Sequence, residues 1–183
     1  MNYKSKLLIS QPASHSDFFK QSVILIAEHD DSHGAWGVML NRPLQKVKLK
    51  SVLEQVRVTY SDKDISCYLG GPVEQNAIHL VHTNDVQMPN SHIINSNISV
   101  TSSVDLFNLI EQGEGPKQWI CTLGMSTWAP GQLEGEMSGQ HPWTPTHKWL
   151  TADCPTTVLD TEPKMLWKQS VAASVKEATA NLF

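Results

Sequence analysis

The chain has 183 residues, 40% apolar and 17% charged, a balance that supports one folded domain with its own core and excludes a disordered tail. Lys and Arg number 14 against 18 Asp and Glu, and the resulting net charge of −4 supplies no global basic field for nucleic acid. The longest apolar runs fall far short of the roughly 20 residues that cross a bilayer, so no membrane association is expected.

Met1–Ser10 carries Lys4 and Lys6 but only Leu7-Leu8-Ile9 as an apolar stretch, too short for a secretory signal. The three cysteines, Cys67, Cys121 and Cys154, are odd in number and widely spaced, which points to free thiols and a cytoplasmic location. Ser22–His29 and Gly34–Asn41 read as strands joined by the polar turn Asp30-Asp31-Ser32-His33. Arg42-Pro43 closes the second, because proline cannot donate to a ladder. A helix is expected over Lys50–Arg57, with Val52, Leu53 and Val56 on one face. Ile65–Leu69 reads as a strand entering the turn Gly70-Gly71-Pro72-Val73, and Ala77–His82 as a strand leaving it.

Residues 84–99 are polar and rich in Asn and Ser, the composition of a long surface connection with short extended pieces. Ser102 or Ser103 can cap a helix through Gln112, with Leu106, Phe107, Leu109 and Ile110 as its apolar stripe and Gly113–Pro116 as its stop. Trp119–Gly124 is a strand of buried type. A short helix follows around Leu133 and Met137 and carries Gln132, Glu134 and Glu136. Pro142, Trp143, Pro145 and Trp149 mark an irregular loop, and Thr157–Asp160 a short strand. Pro163 opens a final helix to about Ala178. Strands and helices mix without regular βαβ alternation, so an α+β fold is expected, as one domain over residues 1–183.

Several chemical signatures are weak on inspection. Glu28, His29, Asp30, Asp31 and His33 could in principle converge on a metal, but the segment has the composition of a hairpin turn. His79 and His82 are three apart, which in a strand places them on opposite faces, so no shared metal is expected. Gly124-Met125-Ser126-Thr127-Trp128 resembles a nucleophile elbow, yet the second glycine that the sharp turn requires is a tryptophan. No phosphate-binding loop, dinucleotide fingerprint or C-x-x-C pair is present, and no cofactor is expected. Cys121, inside an apolar strand, reads as a small buried hydrophobe. The densest cationic stretch, Arg42–Arg57, would align Lys46, Lys48 and Lys50 if extended; solubilising lysines are the simpler account, and nucleic acid remains a weakly supported partner.

Three patterns are too particular for loop filler: GAWGVMLNRP, YLGGPVEQ and LGMSTWAPGQLEGEM. Each joins a strand end to glycine or proline and to a side-chain amide or carboxylate. Together they resemble the signature blocks of the AlgH/YqgE family of bacterial proteins. The segments SKLLISQP and QSVILIAEH and the late Trp167 agree with it. The resemblance implies a mixed, bifurcated β-sheet curled into a pseudo-barrel with flanking helices, in a family often described as transcriptional regulators. It brings no established catalytic residues or cofactor. Ser126 stands where the family usually has alanine, and Gln140–Thr144 departs from the family's usual block.

The expected function is a binding or regulatory module with a protein or small-molecule partner. Its expected surface comprises Asn41, Arg42, Gly70, Gly71, Pro72, Trp128, Gln132 and Glu134, since loops at strand ends usually host sites. The alternative is a hydrolase or transferase with Glu134 or Glu136 as general base, aided by His79. Two residues apart on a helix, these carboxylates point about 200° apart and cannot serve one site together.

Overall fold

The computed structural model describes residues 2–12, 18–55, 66–139, 142 and 149–180. Among these, ten strands and four α-helices follow one another. They are β1 (Lys6–Ser10), β2 (Val23–Asp30), β3 (Gly34–Met39), β4 (Pro43–Lys48), α1 (Leu49–Gln55), β5 (Ser66–Leu69) and β6 (Val73–Thr83). Then come β7 (His92–Ile93), β8 (Ile98–Thr101), α2 (Asp105–Glu111), β9 (Trp119–Trp128), α3 (Gln132–Ser138), β10 (Trp149–Asp153) and α4 (Pro163–Ala180).

The ten strands join in one hydrogen-bonded sheet with the order β10-β1-β2-β3-β9-β6-β8-β7, with β4 and β5 off this path. The sheet forks at β9. The end of β9 pairs antiparallel with β3 at Ser126–Trp128, while Thr122 and Leu123 pair parallel with β5. β6 lies antiparallel to β9 from Trp119 to Met125. The path runs open from β10 to β7 among the described residues, so the pairings do not display the expected pseudo-barrel closure. The α+β class stands.

An uninterrupted apolar strand needs cover on both faces, and β2 has it. Val23, Leu25 and Ala27 enter a core shared with Val38, Val81, Val100 and Leu166 of α4. Ile24 and Ile26 enter a second core with Met39, Trp128, Leu133 and Trp149. All five β2 side chains are fully buried; the valine, leucine and two isoleucines each contribute about 2 kcal/mol by area, and Ala27 less. A third core, built on Cys67, Leu80, Phe107 and Cys121, lies under α1 and α2.

Several expectations need correction. β1 and β10 were not anticipated; they pair with each other from Lys6↔Asp153 to Ser10↔Trp149. Arg42-Pro43 does not simply end a strand, since Pro43 starts β4, whose described pairing is with β5 alone, an edge position that tolerates a missing N–H. The polar stretch 84–99 supplies the expected short extended pieces as β7 and the start of β8, but β8 is buried at all four residues rather than lying on the surface. β9 runs straight through Gly124–Trp128, in keeping with the missing second glycine of an elbow, and Ser126 is a buried residue within the strand. α2 begins at Asp105 without a side-chain cap. Val158–Asp160 forms a 3₁₀ turn rather than a strand. The predicted helix at 50–57 is α1 as far as Gln55; Val56, Arg57, Ile65, Trp143 and Pro145 lie outside the described residues.

Candidate functional site

The motif blocks meet around β3. The Met39 N–H donates to the Gly70 carbonyl at 2.8 Å, and the Leu69 N–H to the Arg42 carbonyl at 2.8 Å. Gly70 and Gly71 run so close to β9 that a Cβ on either would lie 2.1–2.2 Å from backbone atoms of Gly124 or Met125. Trp128 faces Ala35 at the far end of β3, and α3 follows it.

Most polar groups of the expected surface are occupied by the protein itself. Asn41 Oδ1 accepts from the Val23 N–H at 2.9 Å, and Nδ2 donates to the Gln21 carbonyl at 2.8 Å. The Arg42 guanidinium donates to the carbonyls of Phe18 and Lys20. These two side chains clamp the segment that leads into β2. Gln132 closes the first turn of α3 by accepting from the Ala129 N–H at 3.0 Å. Pro72 is exposed. The row of three lysines does not form, because β4 ends at Lys48 and Lys50 lies in α1.

The two α3 carboxylates have different partners. Glu136 Oε2 accepts from the indole N–H of Trp128 at 3.1 Å and of Trp149 at 2.8 Å, while Oε1 accepts from Gln132 Nε2 at 2.9 Å. Three donors hold this carboxylate as a strut between α3, β9 and β10. Glu134 Oε1 lies 2.8 Å from Nε2 of His29. Because His29 Nδ1 accepts the Tyr3 N–H at 3.1 Å, the ring proton sits on Nε2, facing Glu134. Burial, with the Glu134 charge adding to it, raises the Tyr3 hydroxyl above its ordinary pKa. Among the described residues neither carboxylate is paired with His79, and Glu136 is already held by three donors.

A cleft of about 370 Å³ opens elsewhere, where the β2–β3 hairpin meets β9 and β6. Trp36 forms one wall, with Met125, Thr127 and Trp128 from β9 and His79 from β6. The His79 ring packs 5.3 Å from Trp36 and is only 5% exposed. Its Nδ1 has no hydrogen-bond partner among the described residues. Burial lowers its pKa, so the imidazole is neutral at pH 7. The rim carries Glu28 and Asp30. The hydrogen bond from His92, with a second from Lys4, holds Glu28 below the usual carboxylate range. Asp30 is lowered by the N–H groups of His33 and Ser32, which it caps as the polar turn predicts.

Trp128 is the one residue of the expected surface that lines this cleft. Trp36 lies within the first motif block, but its role was not anticipated. His92 was hidden in the polar stretch. Within the described residues no group of three or more His, Cys, Asp or Glu side chains could hold a metal ion, and no helix is long and apolar enough to cross a membrane. A smaller cleft of about 230 Å³ lies between Tyr68 and the start of α4, where Asp160 and Glu162 sit.

Comparison with known proteins places the chain. A model of the AlgH-like family matches residues 7–178. The UPF0301 protein of Sphingopyxis alaskensis is 31% identical over 177 residues, covering 96% of this chain and 91% of the relative. The UPF0301 protein YqgE of Shigella boydii is 30% identical, covering 89% of this chain and 86% of its own. The solution structure of the AlgH protein from Pseudomonas aeruginosa matches with a TM-score of 0.76 at 27% identity, over 96% of this chain and 89% of that one. The chain belongs to the AlgH-like family.

Proposed function

We propose that the protein is a binding module for a small molecule, seated in the cleft between Trp36, His79 and Thr127. The observation that carries this reading is His79. A buried imidazole normally finds a hydrogen-bond partner, and this one, neutral and without one at Nδ1, lines a cleft of ligand size. Most of the eight residues expected to form the surface then act as the scaffold that holds β3, β5 and α3 in register, with Trp128 shared between scaffold and site.

A hydrolase or transferase based on Glu134 or Glu136 fits less well, because Glu136 accepts from three donors and Glu134 faces His29. A regulatory role in transcription, suggested by the family resemblance, fits a module that senses a ligand and acts through a partner. Direct contact with nucleic acid gains little, since the Arg42 guanidinium is turned onto backbone carbonyls. A cytoplasmic location belongs to the same reading, supported by three unpaired thiols.

The test is a thermal-shift titration with the small-molecule fraction of a bacterial extract. The wild type and Gln132→Ala are expected to gain thermal stability. Thr127→Trp, which fills the cleft from an exposed strand position, is expected to gain none. A Thr127→Trp protein that responds as the wild type does would overturn the proposal.

A further inference from the structure

The same cleft has a chemical preference, and the argument for it rests on the small-molecule reading above. Its lining contains two carboxylates, Glu28 and Asp30, and no lysine or arginine. Both carboxylates are ionised at neutral pH, because donors from the protein hold each below its ordinary pKa. Those donors leave acceptor capacity. The contacts of Glu28 with Lys4 at 3.0 Å and His92 at 2.9 Å both fall on Oε1. The two N–H groups of the hairpin turn both fall on Asp30 Oδ1, and the exposed His33 ring, also in the lining, lies 3.1 Å from Oδ2, whose second lone pair remains for a ligand.

Two further features add direction. Trp36 is half-buried, with the His79 ring tilted against it at 5.3 Å and the His92 ring edge-on at 5.1 Å, and it lines the cleft beside the carboxylates. An indole face attracts cations and stacks with planar ones. The neutral imidazole of His79 always offers one lone pair, which suits a ligand N–H. Carboxylate, indole and imidazole are the partners of a flat cation with several N–H donors; an anion would meet two like charges, and the Lys4 ammonium beside Glu28 is already paired with it.

We infer that the cleft binds a small organic cation of the guanidinium or amidinium class, with its charge against Glu28 and Asp30, its plane on Trp36 and an N–H directed to His79. A short alkyl chain on the cation would lie against Met125 and Thr127.

The experiment uses butylguanidinium and its neutral counterpart butylurea, which have nearly the same shape. Each is titrated into the full chain while the Trp36 indole and His79 ring resonances are followed by NMR. Butylguanidinium is expected to shift both and to bind about tenfold more tightly than butylurea, with Glu28→Gln lowering its affinity about fivefold. Equal binding of the two compounds, with the same resonances shifted, overturns the cation assignment and leaves a small-molecule site in place. No movement of Trp36 or His79 with either compound overturns the cation assignment too, and the thermal-shift titration then decides whether the cleft binds anything.

Discussion

Gly71 sits where no Cβ fits, since one built there would lie 2.2 Å from the carbonyl carbon and oxygen of Met125. Only a shift of backbone could make room, so Gly71→Ala is expected to destabilise the fold by about 3 kcal/mol or more. Gly131 is the contrast. Its φ is +76° but nothing lies within 4 Å of a Cβ there, so Gly131→Ala carries only the left-handed strain of about 1–2 kcal/mol. Urea melts of the two variants check the difference; equal losses would show that the tight approach of β5 to β9 is relaxed in solution. At this scale the sequence was informative about which residues are special and less so about why. Gly70, Gly71 and Asn41 stand out in the motifs, yet Asn41 is needed because its amide satisfies the backbone of Gln21 and Val23. A motif records that a residue type is required without saying whether a ligand or the chain itself requires it.

α3 is a seven-residue helix, too short to persist alone, and it is fastened from outside. Leu133 packs into the core with Trp128 and Trp149, and Glu136 ties both indoles. Replacing that carboxylate by an amide removes a charged acceptor from three donors, so Glu136→Gln is expected to destabilise by about 2 kcal/mol. The change should also alter Trp128 and Trp149 fluorescence. Unchanged stability and emission would contradict the strut. Elements with local patterns, such as β2, α2 and α4, were legible because period and punctuation lie within the segment itself. β1 and β10 were not, because each is only five residues long and the pairing that joins them spans about 140 residues, so no local pattern announces it. The polar stretch before β8 concealed His92, whose position beside Trp36 exists only once β7 joins the sheet.

For the whole molecule, pH connects the buried histidines to stability. Burial holds His79 and His82 below their ordinary value of 6.5. The unfolded chain therefore takes up protons first as pH falls, and the folded state loses ground from about pH 6.5 downward. Glu28 and Asp30 shift the other way for stability. Their folded pKa values are lowered, so their contribution is complete above the ordinary carboxylate values and is lost only as pH falls below them. Urea midpoints are expected to drop between pH 7.5 and 5.5, and to drop less in His79→Gln. A wild-type midpoint that rises over this range would contradict the burial of these imidazoles.

The cleft is likewise a property of the whole molecule, since its walls come from β2, β3, β6 and β9, which meet only after the sheet forms. The sequence could nominate Trp128 but not its neighbours across the fork. The most direct measurement is an NMR map of shifts on adding the small-molecule fraction of a bacterial extract. The account predicts perturbations concentrated at Trp36, His79 and Thr127. Perturbations concentrated instead at Asn41, Gly70, Gly71 and Gln132 would contradict it and return the site to the face that the motifs alone suggested.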